Sequence, residues 1–565
     1  MSLFVRAIPL FLFLFSLPVF SATKFSQQAR GIKKVQLKDE AIISLKTRGQ
    51  VLSAEDLHLE ASFREPRKLI ENSSWEVLTS RPEGSEFRTL ILWKEESTSA
   101  LKATSRRLEA LPQVEWIRPN YQYEGEAREF YTPDDPLFGR QRHHDIIQSP
   151  LAWMLSLGSQ EVIVAVTDDG VDIDHEDLAP SIWINPHEIP DNDLDDDFNG
   201  YVDDVNGWDF SSGDNNPRPV SSWSGGDHGT HVAGIIAAAN NSVGLIGVSP
   251  QIKIMPIRFY GSNTWTSAII AKSYAYAVDN GARIITTSYN IDYMVNDPVF
   301  QEAIAYVYSK GAMHFNSAGN NNALNPKRQQ IDELILVCST EVREGLEDVK
   351  SGFSNYGRGV DICAPGSDIW SSVPGNDYSS MSGTSMAAPM AAGVAALIWS
   401  VHPHWSRDQV AARLFQSSEN IDEKNSSWIG YLGAGRVNAF AGVTFKHRPP
   451  QFSKVELDSL GGKVRALRVA TRDIFSESSF ESERLWSLLH EDGEEVALEM
   501  SRPYKLGTNE IVLELSESLR AGNYELRLFA EAWRDPFGQS LDGDSDDLPG
   551  GDFVYGFSIE ERGED

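Results

Sequence analysis

An α/β fold, a parallel sheet with helices on both faces, is expected for the middle of this 565-residue chain, with a small α+β module before it and a small β-sandwich after it. Three observations predict it. From Asp135 to about Val443, short β-branched runs alternate with helical stretches, as in strands joined by helical crossovers. The chain is too long for one core, so two or three domains are the natural division. After Lys446-His447-Arg448-Pro449-Pro450 the rhythm changes to short alternating stretches between turn residues.

Taken in order, residues 1–21 have the form of a secretory signal peptide: Arg6 gives a short positive start, Ala7 to Phe20 is apolar, and Val19-Phe20-Ser21 ends in a small residue. The apolar run is shorter than a bilayer-spanning helix, and no later segment reads as one, so a soluble secreted protein without stable membrane insertion is expected. Residues 22–127 form a module of their own, with strands at Ala41–Lys46, Phe87–Trp93 and Val114–Tyr121 and an amphipathic helix at Ser97–Leu111. Glu124–Pro133 is polar and reads as an exposed, cleavable linker. In the region 128–447, strands are predicted at Val162–Thr167, Lys253–Phe259, Ala282–Thr287, Ala312–Asn316 and Leu334–Ser339, and helices at Ser267–Asn280 and Pro298–Lys310. Residues 448–565 offer strands at Lys463–Ala470, Asn509–Leu515 and Tyr524–Phe529 and no catalytic constellation.

The net charge of −31 argues against a nucleic-acid partner, because a polyphosphate would be repelled. Cys338 and Cys363 are the only cysteines, so one bridge or two buried thiols are both open.

Chemistry concentrates in three motifs. Ser382-Gly383-Thr384-Ser385-Met386-Ala387-Ala388-Pro389 leads into an uncharged run to Trp399, which places Ser385 at the mouth of a buried helix, where free N–H groups favour developing negative charge. Such a serine needs a base and an oxyanion donor. His228-Gly229-Thr230-His231 opens another apolar helix, and its spacing lacks the glutamate of a two-histidine zinc helix. Asp168 in Thr167-Asp168-Asp169-Gly170 ends a strand, where a buried carboxylate needs a partner such as a histidine N–H.

In this order the three motifs resemble those of the subtilisin-like serine proteases, over about Asp135 to Val443. The resemblance implies an endopeptidase in which Ser385 attacks the scissile carbonyl, His228 moves the proton, Asp168 orients the imidazole, and Asn320 in Asn316-Ser317-Ala318-Gly319-Asn320 holds the oxyanion. It implies substrate contacts at Ser288, Tyr289, Asn290, Ala318 and Gly319; Asn290 stands where the family usually has glycine, which alters the main specificity pocket. Asp169 replaces the more usual serine or threonine. It further implies calcium held by Asp135, Asp177, Ala239, Asn241, Val243 and Leu245, protein or peptide substrates, a monomer, and residues 22–127 as a propeptide that inhibits until self-cleavage. The residues themselves suggest a second calcium loop at Asp195, Asp197, Asn199 and Asp203, with oxygen ligands at alternating positions around Gly200. The run Asp542–Asp547 is a weaker acidic candidate. The alternatives are a catalytically silent peptide-binding scaffold and an adhesive protein acting through residues 448–565.

Overall fold

The computed structural model describes residues 131–560 apart from 221–225, 261–264, 445–446, 461–462, 472, 483, 502–509 and 546–547; before residue 131 it describes four strands and a few residues between them. The signal segment, most of the Ser97–Leu111 helix and residues 126–130 of the linker lie outside the described residues. The chain divides into two compact units, Met1–Glu129 and Phe130–Asp565. In the first, β1 (Ile32–Thr47), β2 (Ser74–Glu83), β3 (Glu86–Lys94) and β4 (Val114–Gly125) form an antiparallel sheet in the order β2-β3-β1-β4. The sequence reading missed β2.

The second unit is built on a seven-stranded sheet in the order β11-β10-β9-β8-β5-β7-β6, parallel throughout. Its strands are β5 (Ile163–Asp168), β6 (Trp208–Asp209), β7 (Lys253–Arg258), β8 (Ile284–Thr287), β9 (Met313–Ser317), β10 (Ile335–Thr340) and β11 (Ile362–Pro365). The five predicted strands are all present. Two-residue β6 is too short to show a period, and β11, Ile362-Cys363-Ala364-Pro365, lacks the β-branched run that marks β8 at the same length.

Both faces of the sheet are covered, which is why its strands are apolar nearly throughout. Side chains alternate between two cores: Val164, Val166, Ile254 and Ile284 join one, while Ala165, Met255, Ile257 and Ile285 join the other. The first core holds helices α3 (His228–Ala237) and α6 (Thr384–Val401); the second holds α4 (Ser267–Asp279) and α5 (Pro298–Ser309). Two short helices, α1 (Arg142–Ile146) and α2 (Ser149–Trp153), precede β5. By length and composition α6 could cross a bilayer, which corrects the sequence reading, but it is enclosed by the sheet and its neighbours as a core helix. Cys338 on β10 and Cys363 on β11 face each other in register and form a disulfide, with Cα atoms 4.4 Å apart.

After β5 the chain builds outward on one side through β7 and β6 and on the other through β8 to β11, so the strand order reverses at β5. The crevice at the carboxyl end of such a switch point is where open α/β sheets bind ligands. Asp168 ends β5, Ser288 follows β8, and Asn320 follows β9, so all three meet there.

Beyond residue 451, strands β14 (Phe452–Leu460), β15 (Lys463–Thr471), β17 (Leu498–Met500) and β18 (Glu510–Leu515) form one antiparallel sheet, and β16 (Trp486–His490), β19 (Gly522–Leu528) and β20 (Phe553–Ile559) another. They share one core around Leu467, Leu513, Leu526 and the fully buried Trp533, which makes a small sandwich. Arg358, beyond β10, is paired with Glu456 and Glu510 of that sandwich, and Gln409 donates to the Pro536 carbonyl at 3.2 Å.

Candidate active site

The loop after β5 is tightly confined. Gly170 has φ +118°, and a Cβ there would lie 2.7 Å from the Pro219 nitrogen, so only glycine fits the turn that follows the two aspartates. His228 opens α3 directly opposite. Its Nδ1 lies 2.9 and 3.0 Å from the two carboxylate oxygens of Asp168, whose Oδ1 also accepts from the Asp169 N–H at 2.8 Å. The carboxylate side chain is 3% exposed and the imidazole 26%, so the acid is sealed while the ring faces the crevice. Burial resists protonation of His228, but the Asp168 charge beside it prevails and raises the ring pKa above its ordinary value. Nδ1 is thereby fixed as the donor, which leaves Nε2 to exchange protons.

Asp169 is buried as well. It accepts from the Gly229 N–H at 2.7 Å through Oδ1, its Oδ2 has no partner, and burial together with Asp168 pushes its pKa up to about 7. His231, one turn along α3, is neutral: burial brings it down to about 4, and its Nε2 meets the Ile369 and Ser379 carbonyls at 3.1 and 3.2 Å. It fastens α3 to the hairpin β12 (Ile369–Val373) and β13 (Asp377–Met381).

Ser385 is the second residue of α6. Pro389, four residues on, has no N–H to give the Ser385 carbonyl, and the Ser288 hydroxyl donates to that carbonyl instead at 2.9 Å. In return the Ser385 hydroxyl donates to the Ser288 carbonyl at 3.0 Å. The Ser385 side chain thus rests on Ser288.

Asn320 is held by its oxygen. Oδ1 accepts from the Thr384 N–H at 2.9 Å and the Thr384 hydroxyl at 2.8 Å, and that hydroxyl accepts from the Gly319 N–H at 3.0 Å. With Oδ1 committed to two donors, the amide orientation is fixed and Nδ2 faces the other way. A Cβ built on Gly383 would stand 3.3 Å from Asn320 Nδ2 and 3.5 Å from the Ser385 nitrogen, so both donors border one small space beside the hydroxyl. Oxygen bearing negative charge suits that space. The Asn320 loop is braced by Asn355, which donates to the Ala318 carbonyl at 2.9 Å and accepts from the Asn321 and Ala323 N–H groups at 3.0 and 2.8 Å.

Two acidic clusters have the chemistry of cation sites. Asp177 accepts from the Leu245 N–H at 2.9 Å and Asp135 from the Asn241 N–H at 3.2 Å, yet Asp177 Oδ1 and Asp135 Oδ2 are buried without partners. Burial raises both carboxyls, Asp177 to about 7 with Asp135 adding to it. Two facing carboxylates with orphaned oxygens and a carbonyl-rich loop at Ala239–Leu245 fit a hard cation. Asn241 turns its oxygen to the Val243 N–H at 2.9 Å.

The second cluster differs from the one expected. Glu188, Asp197 and Asp204 bring carboxylate oxygens within 4.8 Å of one another, and Glu188 Oε2 has no partner. Asp195 instead accepts from the Asn199 and Gly200 N–H groups, Asn199 Oδ1 from Tyr201, and Asp203 from Asn192 and Asp193, so these three shape the loop. Glu188 lies too far upstream to register in an alternating pattern; Asp204 was visible as the second half of Asp203-Asp204. In the acidic run near the C-terminus, Asp546 and Asp547 lie outside the described residues.

The model of the subtilase family matches residues 159–435. Thermitase of Thermoactinomyces vulgaris is 37% identical over 321 residues, 56% of this chain and 100% of that one. A thermophilic serine proteinase of Bacillus sp. (strain AK1) is 32% identical over 61% of this chain and 76% of its own. The halolysin-like extracellular serine protease Nep of Natrialba magadii is 33% identical over 59% and 56%. Among solved structures, a protease from Pseudoalteromonas arctica PAMC 21717 is 27% identical with a TM-score of 0.43, covering 55% of this chain and 98% of that one. With thermitase matched along its whole length, this chain belongs to the subtilase family and is a serine-type endopeptidase.

Proposed function

We propose that the chain is an exported, self-processing endopeptidase stabilised by calcium. Residues 1–21 direct export, 22–127 act as folding chaperone and inhibitor, 128–447 carry catalysis, and 448–565 are an accessory domain. The observation that carries the reading is the Asn320 amide, locked by Thr384 so that Nδ2 and the Ser385 N–H border one space beside the nucleophile.

In this reading, catalysis runs through Ser385, His228, Asp168 and Asn320. Ser385 turns from the Ser288 carbonyl to His228 Nε2, gives up its proton as its oxygen attacks the scissile carbonyl, and the oxyanion settles between Asn320 Nδ2 and the Ser385 N–H. His228, held by Asp168, returns the proton to the leaving amine; water repeats the sequence to release the acid. Asp135 and Asp177, with loop carbonyls from Ala239 to Leu245, would hold one calcium, and Glu188, Asp197 and Asp204 a second. Bound calcium supplies neutralisation of buried carboxylates and so fixes both loops.

The test compares wild type with Ser385→Ala, with calcium and with chelator, following chain mass and casein digestion. Wild type should lose its N-terminal module and digest casein, while the variant keeps the module and stays inert. Intact, inactive wild type in calcium would sink the proposal.

A further inference from the structure

Acylation joins the substrate carbonyl carbon to Ser385 Oγ, which lies 3.0 Å from the Ser288 carbonyl oxygen, while the carbonyl oxygen points at Asn320. The acyl residue must therefore sit between the segment after β8, beginning at Ser288, and the segment after β9, ending at Asn320. In that pose its side chain faces the gap between those segments.

A guanidinium already spans that gap. Arg328 Nη1 donates to the Ser317 carbonyl at 2.6 Å and Asn316 Oδ1 at 3.3 Å on one wall, and Nη2 donates to Asn290 Oδ1 on the other. Nη2 also stands 3.6 Å from the place a Cβ on Gly319 would take. Asp292 completes the set, accepting from Nε at 3.0 Å and Nη2 at 3.2 Å, and Arg328 is 2% exposed. Every N–H of the guanidinium is bonded, which is the condition under which a buried arginine is tolerated. No donor is left over for an acidic ligand.

We infer that Arg328, braced by Asn290 and Asp292, plugs the acyl-side-chain subsite, so that the enzyme cleaves after small residues such as Gly, Ala and Ser. This rests on the endopeptidase reading and adds the substrate class. A misfitted methylene in a shaped pocket is worth about 10–200-fold in specificity, so Ala should exceed Phe or Leu by at least about tenfold in kcat/KM.

The experiment measures kcat/KM on peptides that differ only at the acyl residue, Gly, Ala, Leu, Phe, Glu or Arg, for activated wild type, Asn290→Gly and Arg328→Gly. Wild type should favour Ala and Gly. Arg328→Gly should gain about tenfold or more on the Arg peptide, whose guanidinium can take the vacated place beside Asp292. If that variant folds poorly, the wild-type series decides. Phe or Leu cleaved as well as Ala would mean the gap is open, and a preference for Glu would mean that Arg328 is a receptor; either overturns the inference alone. A folded Arg328→Gly with an unchanged profile overturns the assignment to Arg328. Wild type inert toward casein and all six peptides would instead overturn the endopeptidase reading, and this one with it.

Discussion

Thr384 should matter to turnover only through Asn320. Its hydroxyl is one of two donors on Asn320 Oδ1 and the acceptor of the Gly319 N–H. Thr384→Val keeps the shape and removes both roles. Loss of an oxyanion donor in a subtilisin costs about 10²–10³ in kcat, so Asn320→Ala is expected to cost that much here. Thr384→Val leaves the donor in place but removes one neutral hydrogen bond that aims it, worth about 0.5–1.5 kcal/mol, so kcat should fall about 2–13-fold with KM nearly constant. In the Asn320→Ala background the same change should cost less than about twofold, since nothing remains to be aimed. The assay is kcat and KM for wild type, both single variants and the double variant on one chromogenic peptide, with thermal unfolding as a control for the unpaired Gly319 N–H. Additive losses, or an effect carried by KM, would refute the argument.

The Asp169 charge raises the His228 pKa, so Asp169→Ser should let His228 lose its proton at lower pH and move the acid limb of kcat/KM downward; a fixed or upward-moving limb counts against it. Asp177 binds its proton more tightly folded, at about 7, than its ordinary 3.8, so without calcium the native state holds more protons than the unfolded chain across that window and stability must fall as pH rises through it. Melting curves in chelator should show that fall between pH 4 and 7 and calcium should remove it; a flat chelator profile would contradict the site. Glu188→Gln takes one charge from the Glu188, Asp197 and Asp204 cluster, so this variant should melt higher than wild type in chelator and gain less from calcium. An equal calcium gain in both would show that no ion sits there.

How much of this was legible in the sequence follows from the range over which each signal acts. The five predicted strands and the helices α4 and α5 announce themselves through apolar periodicity and β-branched runs, because both faces of the sheet are buried. Asp168, His228, Ser385 and Asn320 stand in contiguous motifs whose small neighbours give them away. Contacts made by folding do not. Arg328 is eight residues beyond Asn320 in a polar stretch, and its bonds to the Ser317 carbonyl and to Asn290 arise only when that stretch folds back. Glu188 meets Asp204 across a long loop, and the Ser288 to Ser385 exchange depends on a proline four residues away along α6.

The bridge between Cys338 and Cys363 has a reach beyond the two strands it joins. Those strands are already laced by their own ladder, so the covalent bond's main object is the chain looped between them, 25 residues in sequence. Closing a loop of that size removes about 3.5 kcal/mol of freedom from the open chain in the entropic account. Asn355 rides on that loop, and it is the residue whose side chain grips the Ala318 carbonyl and the Asn321 and Ala323 N–H groups. The sulfur atoms sit in the core, yet the loop they close is the one whose Asn355 braces the stretch that carries Asn320. The covalent bond and the Asn355 brace therefore belong to one closed loop, which ties the sheet edge at β10 and β11 to the backbone on either side of Asn320.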